Sequence, residues 1–408
     1  MPKDITAEKR IERTGSDMKQ KAILEGIRIT DMTSVIFGPY CTQILADLGA
    51  DVIKVEPRGG DASRNIGKSS HTKLMGGLHL RMNRGKRSVD WDIKTPKGRH
   101  ALERLISTSD VLIHNIRPDA TERAQLDYET VRALRPDIVY VQCTGFDTRG
   151  PSSGQPAYDD IIQAASGIAS LLPMVDANPA PRFVPMAMAD KVSGLHGAYA
   201  VLAAIIHRLR TGEGQMVEVP MLESLVSFNL LDHLYEETFV PPIGPIGYTR
   251  QLDPTRQPLP TKDGYIVVAP YQDNRWIRVF ELLDMSEILE EPGLTDLMSR
   301  RENADRLYTA LASRLPERTT AEWLALFAEN SIPASRINSL HDLLEDPQLA
   351  ASGLFREREH PSEGTYREVR GPVRFSAGCP EEVCHAPRIG EHSASVAHEL
   401  GLEPEQMP

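Results

Sequence analysis

The chain has 408 residues, 40% of them hydrophobic and 25% charged, with a formal net charge of −11 at pH 7. That length exceeds one ordinary core, so two domains or one large interrupted domain are expected. The acidic balance argues against a general binder of nucleic acid or anionic membranes and leaves room only for local basic pockets.

Residues 1–21 are charged and lack an apolar core, so they do not read as a signal peptide. A polar, mobile or loosely docked extension is expected there. The next segments alternate. "GIRITDM" reads as a strand, "GPYCTQILADLGA" as a helix stopped at Gly49, and "DVIKVE" as a second strand. "SVDWDI" follows, then a helix with Thr95 as N-cap and Pro96 at its first position. "DVLIHNI", the helix "DYETVRAL" and "DIVYVQCT" continue a pattern that implies a mostly parallel α/β sheet.

The run from Val192 to Ile206 is apolar but short for a bilayer, contains His196, and reads as a buried helix. "RTGEGQMVEVPM" looks hairpin-like. The Pro/Gly-rich stretch "VPPIGPIGYTRQLDPTRQPLP" reads as a long loop between domains or at an active site. A strand at "DGYIVVAP" precedes helices around Trp276–Leu283, Asn303–Leu315 and Thr320–Glu329. Thr320 and Glu322 lack capping-box spacing, although a threonine start is reasonable.

Neither a three-glycine dinucleotide signature nor a GxxxxGK[ST] phosphate loop occurs. Four cysteines make no disulfide framework, and a reducing cytoplasm fits them best. Cys379, Cys384 and His385 lack the second ligand pair of a zinc site, so no metal site is assigned. Basic residues gather in the N-terminal part: Arg58, Arg64, Arg84, Lys86, Arg87, Lys94, Arg117 and Arg123. Several follow predicted strands, where parallel sheets bind ligands, and together they suit a phosphate-rich nucleotide or plain surface charge.

Asp190 opens a helix rich in small residues, with Gly194, Gly197 and Ala198 following. It has three readings: an N-cap, a surface loop residue or a nucleophile. Pattern alone favours the cap. The helix dipole is expected to keep the carboxylate ionised, and the glycines to let a bulky thioester approach.

The ordered blocks "LEGIRITDMTSVIFGPYCTQILADLGADVIKVEP", "NRGKRSVDWDIKTPKG", "SDVLIHNIRP", "GQPAYDDIIQAASG" and "MADKVSGLHGAYAVLAAIIHRLRTGEGQ" extend over nearly the whole chain. In them the chain resembles the class III coenzyme A transferases, the CaiB/BaiF family. The resemblance implies Asp190 as a covalent nucleophile toward an acyl-CoA. It implies CoA contacts at Val35, Arg58, Lys94, Asn115, Arg117, Arg123 and Tyr158. The implied reaction treats coenzyme A as a substrate and needs no permanently bound cofactor, metal or ATP. Its partners are an acyl-CoA and a carboxylic acid acceptor, with no nucleic acid and no membrane.

The implied fold is α/β: a Rossmann-like large domain plus a smaller α+β domain, in an interlocked homodimer. The corresponding division is an extension at 1–21, the large domain at 22–225, the small domain with its linker at 226–345, and a C-terminal segment at 346–408 returning to the large domain. Two departures from the family pattern matter. Ile36 stands where formyl-CoA transferases have glutamine, and only Gly244 and Gly247 fall in the counterpart of their glycine-rich loop, which makes oxalate a poor substrate. Tyr158-Asp159 replaces the His-Asp pair of α-methylacyl-CoA racemases, and a tyrosine is a poor base near neutral pH. Transfer is therefore expected, with a racemase or a non-catalytic CoA-binding protein as alternatives. Ile36, Phe37, Met186, Met188 and Tyr248 are candidates for an apolar acyl pocket. Arg250 is a candidate for binding the second carboxylate of a dicarboxylic acid such as succinate.

Overall fold

Six strands form one sheet: β1 (Arg28–Met32), β2 (Asp51–Val55), β3 (Lys86–Val89), β4 (Val111–His114), β5 (Val139–Thr144) and β6 (Gln215–Pro220). The order is β3-β2-β1-β4-β5-β6 and every neighbouring pair is parallel. The structure, a computed structural model, describes residues 21–176, 178–378, 380, 383–403 and 406. All of the expected N-terminal extension but its last residue lies outside them, as does Cys379.

The helices of this part are α1 (Phe37–Asp47), α2 (Gly77–Met82), α3 (Pro96–Ser107), α4 (Pro118–Arg123), α5 (Tyr128–Leu134), α6 (Asp159–Ala165), α7 (Leu171–Val175), α8 (Met188–Thr211) and α9 (Met221–His233). Every residue of β4 and β5 is buried. Central parallel strands covered on both faces require that. One face packs Ile29, Val139 and Val141 against α1, α8 and α9. The other packs Ile53, Leu112 and Tyr140 against α3 and α5.

Local signals act as the sequence predicts at α3, where Thr95 Oγ1 accepts from Gly98 N at 3.1 Å and Pro96 opens the helix. The first strand after Asn83 is shifted: it is Lys86–Val89 and stops before Trp91. "RTGEGQMVEVPM" is not a hairpin. Gly212, at φ +77°, ends α8, and β6 then runs parallel to β5 at the sheet edge. A helix crossing back over the sheet before its strand gives the parallel direction.

α8 is long and apolar enough, by length and composition, to cross a bilayer. Val192, Gly197, Val201, Ala204 and Ile205 nevertheless pack into the protein core. The expectation of a buried helix holds for that side only, since Leu195, Tyr199, Ile206 and Leu209 are exposed.

A second core forms around Trp276, Phe280, Leu307, Trp323 and Phe327. Its antiparallel sheet contains β7 (Leu259–Pro260), β8 (Tyr265–Val268) and β9 (Ala334–Arg336). Helices α10 (Asp273–Leu282), α11 (Leu297–Glu302), α12 (Ala304–Arg314) and α13 (Thr320–Glu329) accompany it. The cap of α13 is Thr319, one residue before the expected threonine start. Thr319 N donates to Glu322 Oε2 at 2.8 Å and Glu322 N to Thr319 Oγ1 at 3.3 Å, a full capping box.

Beyond it lie α14 (Pro347–Ser352), the hairpin β10 (Phe355–His360) and β11 (Gly364–Val369), and α15 (Ser393–Glu399). α15 returns to the first sheet. Val396 and Ala397 join the core on α3, and His392 N donates to Ser88 O at 2.9 Å.

Candidate active site

The sheet order reverses at β1. The chain leaves β1 toward β2 on one side, and β4 lies on the other. Loops leaving neighbouring strands in opposite directions open a crevice at the strands' carboxyl ends. A cleft lies there, lined by Ser34 and Val35 after β1, Asn115–Pro118 after β4, Cys143–Phe146 at the end of β5, Tyr158 and Asp190. The topology thus brings five predicted site residues together: Val35, Asn115, Arg117, Tyr158 and Asp190.

Asp190 is not the N-cap of α8. The cap is Ala187, and Asp190 is the third helical residue. Its own backbone N–H is satisfied by another carboxylate: it donates to Asp159 Oδ1 at 3.1 Å. Gln163 steadies that carboxylate from α6, donating to Asp159 Oδ2 at 2.6 Å and to Met186 O at 3.0 Å. With the capping work done by Asp159, the Asp190 side chain is left to the cleft wall.

The helix start is not the main influence on the Asp190 carboxyl. Burial, and then the negative charge of Asp159, push its carboxyl up to about 6, against the Phe37 backbone N–H. At pH 7 such a carboxyl is still mostly ionised, while its affinity for a proton exceeds that of an ordinary aspartate.

Gly194 and Gly197 face α1. A Cβ at Gly194 would sit 2.9 Å from Tyr40 Cδ1 and 3.0 Å from Phe37 O, and one at Gly197 would sit 3.2 Å from Cys41 Sγ. Their bareness lets α1 and α8 approach closely, which sets the start of α1 beside Asp190.

Val35 adopts φ +70°, a strained conformation for a β-branched residue. Asn115 fixes the turn from β4: its Oδ1 accepts from Ser34 N at 3.0 Å and its Nδ2 donates to Ser34 O at 2.9 Å. Asn115 lines the cleft, but its amide serves the turn.

The basic cluster divides. Arg64 pairs with Glu56, Lys86 with Asp31, Arg84 with Asp47, and Arg87 with Asp51 and Glu399. These four are structural ions, not ligand groups. Arg58, Lys94 and Arg123 are exposed and do not line the cleft; Arg58 lies 3.8 Å from Asp92, and Arg123 pairs with Asp119 at 2.9 Å. Among the described residues, Arg117 is the cation that lines the cleft itself.

Of the acyl-pocket candidates only Phe37 lines the cleft; Tyr248 packs on Tyr235, with ring centroids 5.3 Å apart. His196 Nδ1 lies 2.8 Å from Val192 O on its own helix, as a packed helical histidine would. Sequence reasoning passed over Asp159 as a cap and Asp61 as a turn anchor. The Asp61-x-Ser63 spacing, in which Asp61 accepts from Ser63 N at 2.8 Å, is the one local signal for the latter.

A parallel α/β sheet with a half-buried carboxylate on the wall of its switch-point cleft defines the class: a doubly wound α/β protein with a ligand site at the carboxyl ends of its strands. Residues 24–393 match the family model of CoA-transferase family III, and the chain belongs to that family. It is 32% identical over 390 residues to the succinate–glutarate CoA-transferase of Agrobacterium fabrum, covering 93% of this chain and 96% of that one. It is also 32% identical to the succinyl-CoA:mesaconate CoA-transferase of Haloarcula marismortui, covering 93% and 97%. A CaiB/BaiF family protein from Brucella suis superimposes with a TM-score of 0.79 at 29% identity, covering 93% of this chain and all of that one. The protein is thus a class III CoA-transferase.

Proposed function

We propose that the enzyme moves CoA from a dicarboxylic acyl-CoA to a carboxylic acid through covalent intermediates on Asp190. The observation that carries this is the placing of Asp190: half-buried on the wall of the switch-point cleft, with its proton affinity raised and its capping role taken by Asp159. The Asp190 carboxylate attacks the thioester carbonyl, giving an aspartyl–acyl anhydride and CoA thiolate. The thiolate attacks the aspartyl carbonyl, releasing the donor acid and leaving an aspartyl-CoA thioester. The acceptor carboxylate attacks that thioester to give a second anhydride, and the thiolate then takes the new acyl group and frees Asp190. Every step exchanges one activated acyl bond for another.

Val35, Arg117 and Tyr158 line the pantetheine and phosphate path in this proposal, while Arg58, Lys94 and Arg123 meet the outer phosphates. Dicarboxylic donors are favoured by the succinyl and glutaryl chemistry of the relatives. Arg250, stacked over Tyr271 at 4.1 Å, is the cation proposed for the distal carboxylate. An interlocked homodimer would cover the exposed Leu195, Tyr199, Leu209, Phe228 and Leu231. The buried free thiols of Cys41 and Cys143 fit a cytoplasmic enzyme.

The experiment is hydroxylamine trapping during turnover of acyl-CoAs with a panel of acids, followed by mass spectrometry. A hydroxamate at position 190 is expected. New thioesters without modification at that position, or exchange of solvent deuterium beside the thioester in place of transfer, would reject the proposal.

A further inference from the structure

We propose that the buried Lys54–Asp61 ion pair is a positioning device for catalysis, holding the Thr33–Val35 turn in its strained form as a wall of the Asp190 cleft. The inference rests on Asp190 being the nucleophile.

Lys54 comes from β2 and Asp61 caps the short turn of helix at Ala62–Asn65. Their charged groups lie 2.9 Å apart, and both side chains are only 1% exposed. Together they grip the turn at its two ends. Lys54 Nζ donates to Thr33 O at 2.7 Å, and Val35 N donates to Asp61 Oδ1 at 3.1 Å. Asn115 holds Ser34 between them. Burial opposes the Asp61 charge, but Lys54 and the Ser63 and Val35 amides bring its carboxyl down to about 2, so the grip is charged.

A buried ion pair contributes little net stability, because desolvation offsets its attraction. Holding a strained residue is a different task. A β-branched side chain at φ +70° stays there only if its surroundings over-determine it. The turn leads directly into α1, whose Phe37 amide acts on Asp190. Release of the turn would move the cleft wall and that amide together.

The test is a double-mutant comparison of Asp61→Ala and Val35→Gly, since glycine adopts positive φ without steric cost. The readouts are kcat and KM for the donor acyl-CoA giving the fastest exchange in the acid panel, Kd for CoA by calorimetry, and a thermal melt. Asp61→Ala is expected to lower kcat about tenfold or more in a folded protein, with a smaller change in Kd. Adding Val35→Gly is expected to recover most of that loss.

If the two substitutions simply multiply, the proposal fails. Should Asp61→Ala not fold, Asp61→Asn with and without Val35→Gly gives the same comparison. Failure of both Asp61 variants to fold would assign the pair to stability and overturn the proposal as well. Asp190→Asn separates the two levels: exchange abolished there while the pair multiplies sinks only this inference, whereas full exchange sinks the nucleophile itself.

Discussion

The backbone N–H of Asp190 donates to the carboxylate of Asp159 at 3.1 Å, so one aspartate caps the helix that presents another. The arrangement fixes where α8 begins and sets a negative charge beside the Asp190 carboxyl. Burial and that charge together raise the Asp190 carboxyl to about 6.

A pH prediction follows from the sign. In the proposed reaction the ionised form of Asp190 attacks, and its carboxyl is raised from 3.8 to about 6. Acylation of Asp190 should therefore rise with pH through about 6 and plateau above it, where an ordinary aspartate would already be ionised at pH 5. Asp159→Asn removes the neighbouring charge and keeps an oxygen to accept from Asp190 N. The limb should move to lower pH, measured by single-turnover acylation. A limb unmoved by Asp159→Asn would remove Asp159 from the electrostatics of the site.

Asp190→Asn should reduce CoA exchange by roughly a thousandfold or more, because an amide cannot form the anhydride. CoA binding should change little, since the substitution is nearly isosteric. Steady-state exchange and calorimetry with CoA check the two halves separately.

Among the cations, Arg117 and Arg123 should behave differently. Arg117 lines the cleft, whereas Arg123 is exposed and already paired with Asp119. Arg117→Ala should raise KM for acyl-CoA about tenfold, the size of a lost charge-assisted hydrogen bond. Arg123→Ala should have a smaller effect, and a larger one at Arg123 would contradict the geometry.

Gly194→Ala tests the contact between α1 and α8. Alanine improves helix propensity by about 1 kcal/mol, but overpacking costs about 1–3 kcal/mol. The new methyl would meet the Tyr40 ring and a backbone carbonyl that cannot swing aside. A net loss of about 1 kcal/mol is expected in denaturant titration, together with slower acylation, because α1 carries the Phe37 amide. Gly197→Ala, whose nearest neighbour is Cys41 Sγ at 3.2 Å, should cost less.

Much of this protein was legible in its residues alone. The β/α alternation, the Thr95 cap and the loop after Thr238 are local, written in turn chemistry and periodicity within a few positions. Asp190 stood out because ordered blocks over nearly the whole chain carried it. Tertiary structure decided what pairs over distance. Arg64 and Arg117 look alike in sequence, yet one is neutralised by Glu56 in the interior and the other lines the cleft. Asp190 looked like its own cap until α6 brought Asp159 to it from 31 positions away. The glycines after Asp190 looked like room for a ligand until α1 filled that room. Charge and size are properties of single residues, but their partners are set by the order of strands in a sheet, and local sequence does not encode that order.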